Sequence, residues 1–262
     1  MAFNPINSPH SIERCSATVV FSENVPEKLL RKLIVDLSKT LPQGVSRTAS
    51  RAFKFDVTTG QVTTEVEEGT LPGAFISADK QNQFMLAPNA LSWTTERYVR
   101  WKPFVGQLDS FFGPVLDGVL EAVSPQSVRL EYSDRFNWAG DWNDFDVKTL
   151  LRADPAFVAQ RVLSGDGRWH THSGWFDKVD NLRRLTNVNI DVADLVGPMT
   201  PTVGIFTLMQ DEANISGYGP SNPEDLNKAF IASRLENLHQ GLKKLLADII
   251  VPQMAEKIGL SS

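Results

Sequence analysis

The chain has 262 residues, a net charge of −5 and an ordinary globular composition, with 42% hydrophobic and 22% charged residues. Its basic residues are scattered, which disfavours a nucleic-acid-binding surface, and no apolar run approaches the roughly 20 residues that span a bilayer. Cys15 is the one cysteine, so no internal disulfide is expected, and since the N-terminus lacks a secretory pattern we expect a cytoplasmic protein.

The first 44 residues predict an arm, a strand and a helix. Residues 1–12 are rich in Pro, Asn and Ser and are typical of an arm. Residues 14–21 alternate between apolar and polar side chains, which predicts a strand. Pro26 opens a helix whose leucines recur at three- and four-residue spacing, and Pro42 with Gly44 ends it.

Residues 53–93 predict β-structure. The predicted features are an alternating strand at 53–57, a turn at Thr59-Gly60, an acidic loop tip at 65–69, a hairpin joining 75–78 to 84–86, and a short strand at 91–93. The next helix is predicted to begin near Thr94 or Thr95 as its N-cap and to continue to Val119. Gly113-Pro114 is expected to kink or divide it.

Residues 128–138 give the clearest strand, because apolar and polar side chains alternate along its whole length. Asp134 falls on the apolar face, where a carboxylate is costly unless it has a partner. We expect a structural partnership with an arginine or a backbone cap rather than a catalytic role.

The C-terminal half predicts three strands and a long helix. The strands are expected at 168–176, 182–192 and 202–210, after a loop at 140–146 and a weak helix at 147–161 broken by Pro155. Ser221 and Glu224 form a capping-box pair that starts the last helix, which ends near Pro252.

The predicted fold class is α+β: a largely antiparallel, curved β-sheet of about eight strands packed against two long helices and one shorter helix. The absence of repeats, low-complexity tracts and linkers predicts a single domain over 1–262, with the arm at 1–12.

A His-x-His pair is the strongest candidate for chemistry. On a strand, His170 and His172 project from the same face, and Asp191 on the next strand is a candidate third ligand for a divalent metal. Phosphate-loop, dinucleotide-binding, GxSxG, HExxH and paired CxxC signatures are absent from the sequence. Because His-x-His recurs by chance, a plain structural or interaction strand is favoured over the metal site, and no cofactor is predicted.

Four tryptophans are candidate binding residues. Trp138 and Trp142 bracket a loop, and Trp169 and Trp175 bracket the histidine pair. Partly exposed Trp supplies large, rigid contact area at interfaces, although Trp is more often part of a core.

Several short motifs resemble a sporadically distributed bacterial family of uncharacterised proteins. They are Gln83-Phe84-Met85-Leu86, the pattern Tyr98-x-x-Trp101-x-x-Phe104, Arg129-Leu130-Glu131-Tyr132, Asn189-Ile190-Asp191, Leu238-His239, Ile249-Ile250-Val251-Pro252 and Ile258-Gly259. This chain has Ser133-Asp134 where the family's strand usually continues as Ile-Asn. The resemblance implies no known reaction, and the family's patchy distribution resembles that of defence-associated genes.

Three hypotheses follow. The preferred one is a non-enzymatic binding protein that engages a protein or peptide partner, with bacterial defence or a toxin-related system as its setting and self-association into a homo-oligomer kept open. The alternatives are a metal-dependent enzyme using the His-x-His strand, and a small-ligand carrier with a pocket between sheet and helices.

Overall fold

The computed structural model describes residues 2–40, 45–48, 51–55, 62–66, 73–153, 156–163, 168–194, 201–213, 215, 217–220 and 222–260. Its strands are Phe3–Pro5 (β1), Ile12–Phe21 (β2), Val45–Thr48 (β3), Arg51–Phe55 (β4), Val62–Val66 (β5), Gly73–Ser77 (β6), Asn82–Ala87 (β7), Ala90–Thr95 (β8), Pro125–Trp138 (β9), His170–Val179 (β10), Leu182–Asp194 (β11) and Pro201–Glu212 (β12). Its α-helices are Glu27–Thr40 (α1), Trp101–Leu120 (α2), Gln160–Leu163 (α3), Lys228–Ile249 (α4) and Pro252–Lys257 (α5).

Ten strands form one open, curved antiparallel sheet in the order β10-β11-β12-β9-β2-β8-β7-β6-β3, with β1 also paired to β9. Strands β4 and β5 form a separate pair. Side chains alternate between two faces, so the strands send their apolar residues to the face covered by α2 and α4. The α+β class and the antiparallel sheet are confirmed, and the described residues contain more strands and more short helices than expected.

The long helices cover the sheet at different places. Helix α4 lies across β9 and β12, and α2 lies against β8. On α2, the ring of Phe111 stacks on Trp93 of β8 with centroids 4.6 Å apart. The two long helices and the shorter α1 match the prediction. Helix α3 overlaps only the end of the weak helix predicted at 147–161, and α5 is a short helical tail, as the sequence up to Gly259 predicts.

The N-terminal segment is built into the sheet rather than free as an arm. Phe3 is fully buried, and its ring packs edge-on against Trp138 at 5.0 Å and against Phe145 at 5.8 Å. Lys257 of α5 also donates to the backbone oxygen of Phe3 and to Asn4. The predicted arm at 1–12 is therefore wrong for residues 3–5, because one large aromatic side chain fixes them to β9.

The start predicted for the second helix is also wrong. Thr95 ends β8 and its hydroxyl donates to Asn82 at 2.7 Å, while the helix begins at Trp101. Threonine is common in strands as well as at helix N-caps, and here Thr95 pairs with β7 instead of capping the helix. Pro114 lies inside one continuous helix instead of dividing it. Proline has no N–H to donate to the carbonyl four residues earlier, and that carbonyl belongs to Ser110, which is exposed.

Other predicted boundaries have mixed outcomes. The hairpin of β6 and β7 is confirmed, as are the strands β9 to β12. The acidic loop tip is wrong at Glu65 and Val66, which pair in β5. Asn227 caps α4 with bonds to the N–H groups of Ala229 and Phe230, so the helix starts later than predicted. Thr59-Gly60, Pro155 and Ser221 lie outside the described residues.

Candidate functional site

Strand β9 places a tyrosine and an aspartate on the covered face of the sheet. Because side chains alternate, Tyr132 and Asp134 point the same way as Leu130 and Phe136, toward α4. Tyr132 is 4% exposed and Asp134 is 2% exposed. Two polar side chains are thus held among core residues, where they require partners.

His239 of α4 is the partner of Tyr132. Its Nδ1 lies 2.8 Å from the Tyr132 hydroxyl, across the interface between helix and sheet. Burial lowers the pKa of His239 to about 4, so the imidazole is neutral at physiological pH. A neutral imidazole carries one N–H, so which atom donates in this hydrogen bond depends on the tautomer of His239.

Two further aromatic side chains fix this pair. Trp101, the first residue of α2, stacks flat on His239 with ring centroids 4.2 Å apart and planes 9° apart. Its indole N–H donates to Glu236, one turn before His239. Tyr98 packs edge-on against Tyr132 at 5.8 Å. The segment that enters α2 therefore meets the middle of α4 at the polar pair.

Asp134 is held by the segment that precedes β2. The Ser11 hydroxyl donates to Oδ1 of Asp134 at 2.7 Å. Burial raises the pKa of Asp134 to about 7, and the hydrogen bond from Ser11 opposes that rise. The structural role expected for Asp134 is thus met by a serine hydroxyl rather than by an arginine or a backbone cap.

A cavity of about 380 Å³ lies among these groups, between the sheet, the start of α2, α4 and the C-terminal segment. Its apolar wall is formed by Ile12, Trp101, Leu242, Leu246, Ile258 and Leu260. Its polar groups are Tyr98, Tyr132, Asp134 and His239, joined by His10 and Ser11 from the N-terminal segment. The cavity is mostly apolar with a few converging polar groups, as small-molecule sites commonly are.

The pKa shifts of the side chains in and beside the cavity favour hydrogen bonding over acid–base chemistry. Burial raises the pKa of Tyr98 and of Tyr132, so both phenols stay protonated. Burial also raises the pKa of the Cys15 thiol, which pairs in register with Tyr132 from β2 and stays uncharged. Apart from Arg100, Lys102 and Lys243 of its lining, the cavity therefore offers neutral donors and acceptors at neutral pH, with Asp134 as its titrating acid.

The predicted histidine pair lies elsewhere, on the uncovered face of the sheet. His170 pairs with Asp191 across the β10–β11 ladder, and His172 pairs with Asn189, whose side-chain oxygen contacts the ring Nδ1. The expected face-sharing is confirmed. Within the described residues, however, no group of three or more His, Cys, Asp or Glu side chains is arranged to hold a metal ion. The metal ion therefore stays a prediction.

Asp191 does contribute to a second, polar cavity of about 380 Å³. Its carboxylate lies over Gly204 of β12, where an added Cβ would come within 2.8 Å of Oδ1. Across that gap Arg135 is paired with Glu13 at 2.8 Å. Burial raises the pKa of Asp191. These residues lie on four neighbouring strands of the sheet, β11, β12, β9 and β2. Arg135 is the one arginine among them, and it is already paired with Glu13.

The four predicted binding tryptophans have different environments. Trp138 is 5% exposed and belongs to the core, whereas Trp142 is 42% exposed and stacks on Phe145. Trp175 stacks on Phe157 with centroids 5.2 Å apart. Trp169 is partly buried against the core. The structure therefore places Trp138 and Trp142 around Phe145, and Trp169 and Trp175 separately on or beside β10.

Sequence reasoning missed most of the cavity. Tyr98 and Trp101 begin a run of apolar and aromatic side chains at helical spacing up to Val119, a pattern that predicts core packing. His239 lies beside the apolar stripe of the last helix. The one signal that marked the site was the acidic residue at 134, on the apolar face of an otherwise regular strand. A polar residue out of phase with its strand needs a partner, and here it lines the cavity.

Comparisons with known proteins identify no family for this chain. No family model and no curated protein matches the chain. A similar solved structure is the di-domain ARO/CYC StfQ from the steffimycin biosynthetic pathway, 10% identical over 89% of this chain and 96% of that chain. Its TM-score is 0.17, so the likeness carries no argument about fold or function. No described helix is long and apolar enough to cross a membrane.

Proposed function

We propose that this protein binds a small, largely apolar molecule in the cavity between β9, the start of α2, and α4. The observation that carries the proposal is the convergence of Tyr98, Tyr132, Asp134 and His239 on a mostly apolar space of about 380 Å³. This volume lies within the range of about 300–1,000 Å³ that is typical of small-molecule sites.

Neutral polar groups suit such a ligand. Tyr98 and Tyr132 retain their protons and His239 is uncharged, so these three side chains place no fixed charge against an apolar body. The stacked pair of Trp101 and His239 supplies a flat aromatic wall beside it. The Tyr98 phenol offers a donor to a ligand oxygen, which would fix its orientation.

The first experiment uses N-phenyl-1-naphthylamine, a neutral and apolar fluorescent probe. Titration into the purified full chain is expected to show saturable fluorescence with one probe per chain. Ile12→Trp and Leu260→Trp each place a larger side chain on the cavity wall and are expected to weaken binding at least about tenfold.

Val35→Trp is the matched control. Val35 is 52% exposed on α1 and does not line the cavity, so the same enlargement should leave probe binding unchanged. Circular dichroism and thermal melting must show that each variant is folded. Absence of saturable binding to the wild-type chain, or equal loss in the control and in both blocking variants, would refute the proposal.

A second candidate is binding of a protein or peptide partner, and the free edge of β10 favours it. Strand β10 ends the ten-stranded sheet, so one side of its backbone lacks a neighbouring strand among the described residues. Such an edge accepts an added strand. Exposed Phe176 of β10 would then be a candidate contact. Loss of a pulled-down partner after His172→Pro, which blocks strand addition, would distinguish this function from cavity binding.

A further inference from the structure

The rim of the cavity carries charge of one sign. Arg100 and Lys102 flank the first residue of α2, and Lys243 projects from α4 one turn after His239. Arg100 and Lys102 are exposed and Lys243 is half-buried. Three cations from two helices therefore border an opening into an otherwise apolar space.

These cations lack carboxylate partners among the described residues. None of the three forms an ion pair within 4.0 Å there, and Arg100 donates to the backbone oxygen of Val99 instead. Glu236 is a nearby acid, but its carboxylate already accepts from Trp101 and Gln240. The charge at the rim is thus available to a ligand.

The start of α2 adds to this positive potential. Its N-cap, Arg100, makes no side-chain hydrogen bond to the helix, and the first turn contains no acidic residue. Many helices place Asp or Glu there because the N-terminal N–H groups attract negative charge. In α2 a lysine and an arginine occupy these positions, so an anion at the rim would meet both the helix end and the cations.

The carboxyl group inside the cavity does not cancel the positive charge at its rim. Among the residues that the structure describes, Asp134 is the one carboxyl group in the cavity lining, and burial keeps much of it protonated near neutral pH. The other titratable groups of the lining are His10, Tyr98, Tyr132 and His239, none of which brings a negative charge at that pH. The lining therefore favours an acidic ligand group at the rim and an apolar body within.

We propose that the ligand of this cavity is an apolar molecule bearing one acidic group, such as an aromatic or aliphatic carboxylic acid, held at the rim by Arg100, Lys102 and Lys243. The inference rests on the proposed function of the cavity and adds the chemical class of its ligand. The apolar body would lie against Trp101 and Leu246, and the acidic group would stay partly hydrated.

A matched pair of probes tests this charge. N-phenyl-1-naphthylamine is neutral, and 1-anilinonaphthalene-8-sulfonate is the same framework with one sulfonate. The full chain is expected to bind the sulfonate more tightly, and its affinity should fall as salt rises while that of the neutral probe does not. Replacing all three rim cations (Arg100→Gln, Lys102→Gln, Lys243→Gln) should weaken sulfonate binding about tenfold and leave the neutral probe within about twofold.

The control variant carries Lys28→Gln, Lys32→Gln and Lys148→Gln, three exposed lysines outside the cavity lining. It changes the net charge equally and should leave both probes unaffected. If the neutral probe binds but the two triple variants affect the sulfonate equally, the inference about the rim fails while the proposed function stands. If neither probe binds the wild-type chain, the proposed function fails and the inference fails with it.

Discussion

The Tyr132 hydroxyl and Nδ1 of His239 lie 2.8 Å apart, joining the middle of β9 to the middle of α4 across 107 positions of sequence. The contact sits at the wall of the cavity, so the groups that orient a ligand also hold the helix on the sheet. Changes here should therefore affect both stability and probe binding.

Tyr132→Phe should destabilise the fold by about 1–3 kcal/mol, because the buried Nδ1 of His239 loses its hydrogen-bond partner. In the Tyr132→Phe/His239→Leu double variant neither polar group is left unpaired. Its loss of stability should therefore be smaller than the sum of the losses in Tyr132→Phe and in His239→Leu. Urea denaturation of the four proteins measures this coupling. Additive losses would show that the hydrogen bond contributes nothing.

Asp134→Asn should become more stable than the wild-type chain as pH rises. Its folded pKa is about 7 against an ordinary value of 3.8, so between these values the unfolded chain releases a proton that the folded chain keeps. Wild-type stability is lost over this window, and the neutral amide does not titrate. The difference in unfolding free energy between the two proteins should grow by about 3 kcal/mol from pH 5 to pH 8. A constant difference would contradict the buried, protonated carboxyl.

A buried ion pair anchors the other side of α4. Arg184 of β11 binds both carboxylate oxygens of Asp211 at 2.6 and 2.7 Å and also donates to Asn237 of the helix. Arg184→Met should cost about 3–5 kcal/mol because Asp211 stays buried, with Arg234 3.6 Å away as its remaining cation. Arg184→Met/Asp211→Leu should cost less, as thermal melts would show. A double variant less stable than the single one would contradict this reasoning.

Two helical glycines should respond oppositely to the same substitution. A Cβ on Gly241 of α4 would lie 2.8 Å from Sδ of Met209, so Gly241→Leu should destabilise the fold by about 1–3 kcal/mol. Gly106 of α2 is exposed with nothing within 4 Å, and Gly106→Leu should stabilise it by up to about 1 kcal/mol. Chemical denaturation gives both values. A neutral Gly241→Leu would contradict this and show that the Met209 side chain moves aside at little cost.

The sequence predicts the strands well because their pattern is local. Alternation over 128–138 and the matching runs at 182–192 and 202–210 identify β9, β11 and β12, whose faces follow from the period of two. The hairpin of β6 and β7 is equally local. Helix boundaries were harder, since Thr95 pairs across a hairpin with Asn82, a contact that no residue-by-residue propensity reveals.

The sequence does not predict the cavity, for a different reason. Tyr98, Tyr132 and His239 come from three separate elements, and each alone has the pattern of a core residue. Their meeting depends on strand order and on how α4 crosses β9, which are long-range features. Conversely, His170 and Asp191 were predicted to share a face because they lie on consecutive strands, and they do.

A crystal structure of the chain saturated with N-phenyl-1-naphthylamine tests the central claim most directly. We expect one probe molecule between Tyr132, Trp101 and Leu246, within the cavity of about 380 Å³. A cavity empty of probe at saturation, or probe bound only at another surface, would contradict the account.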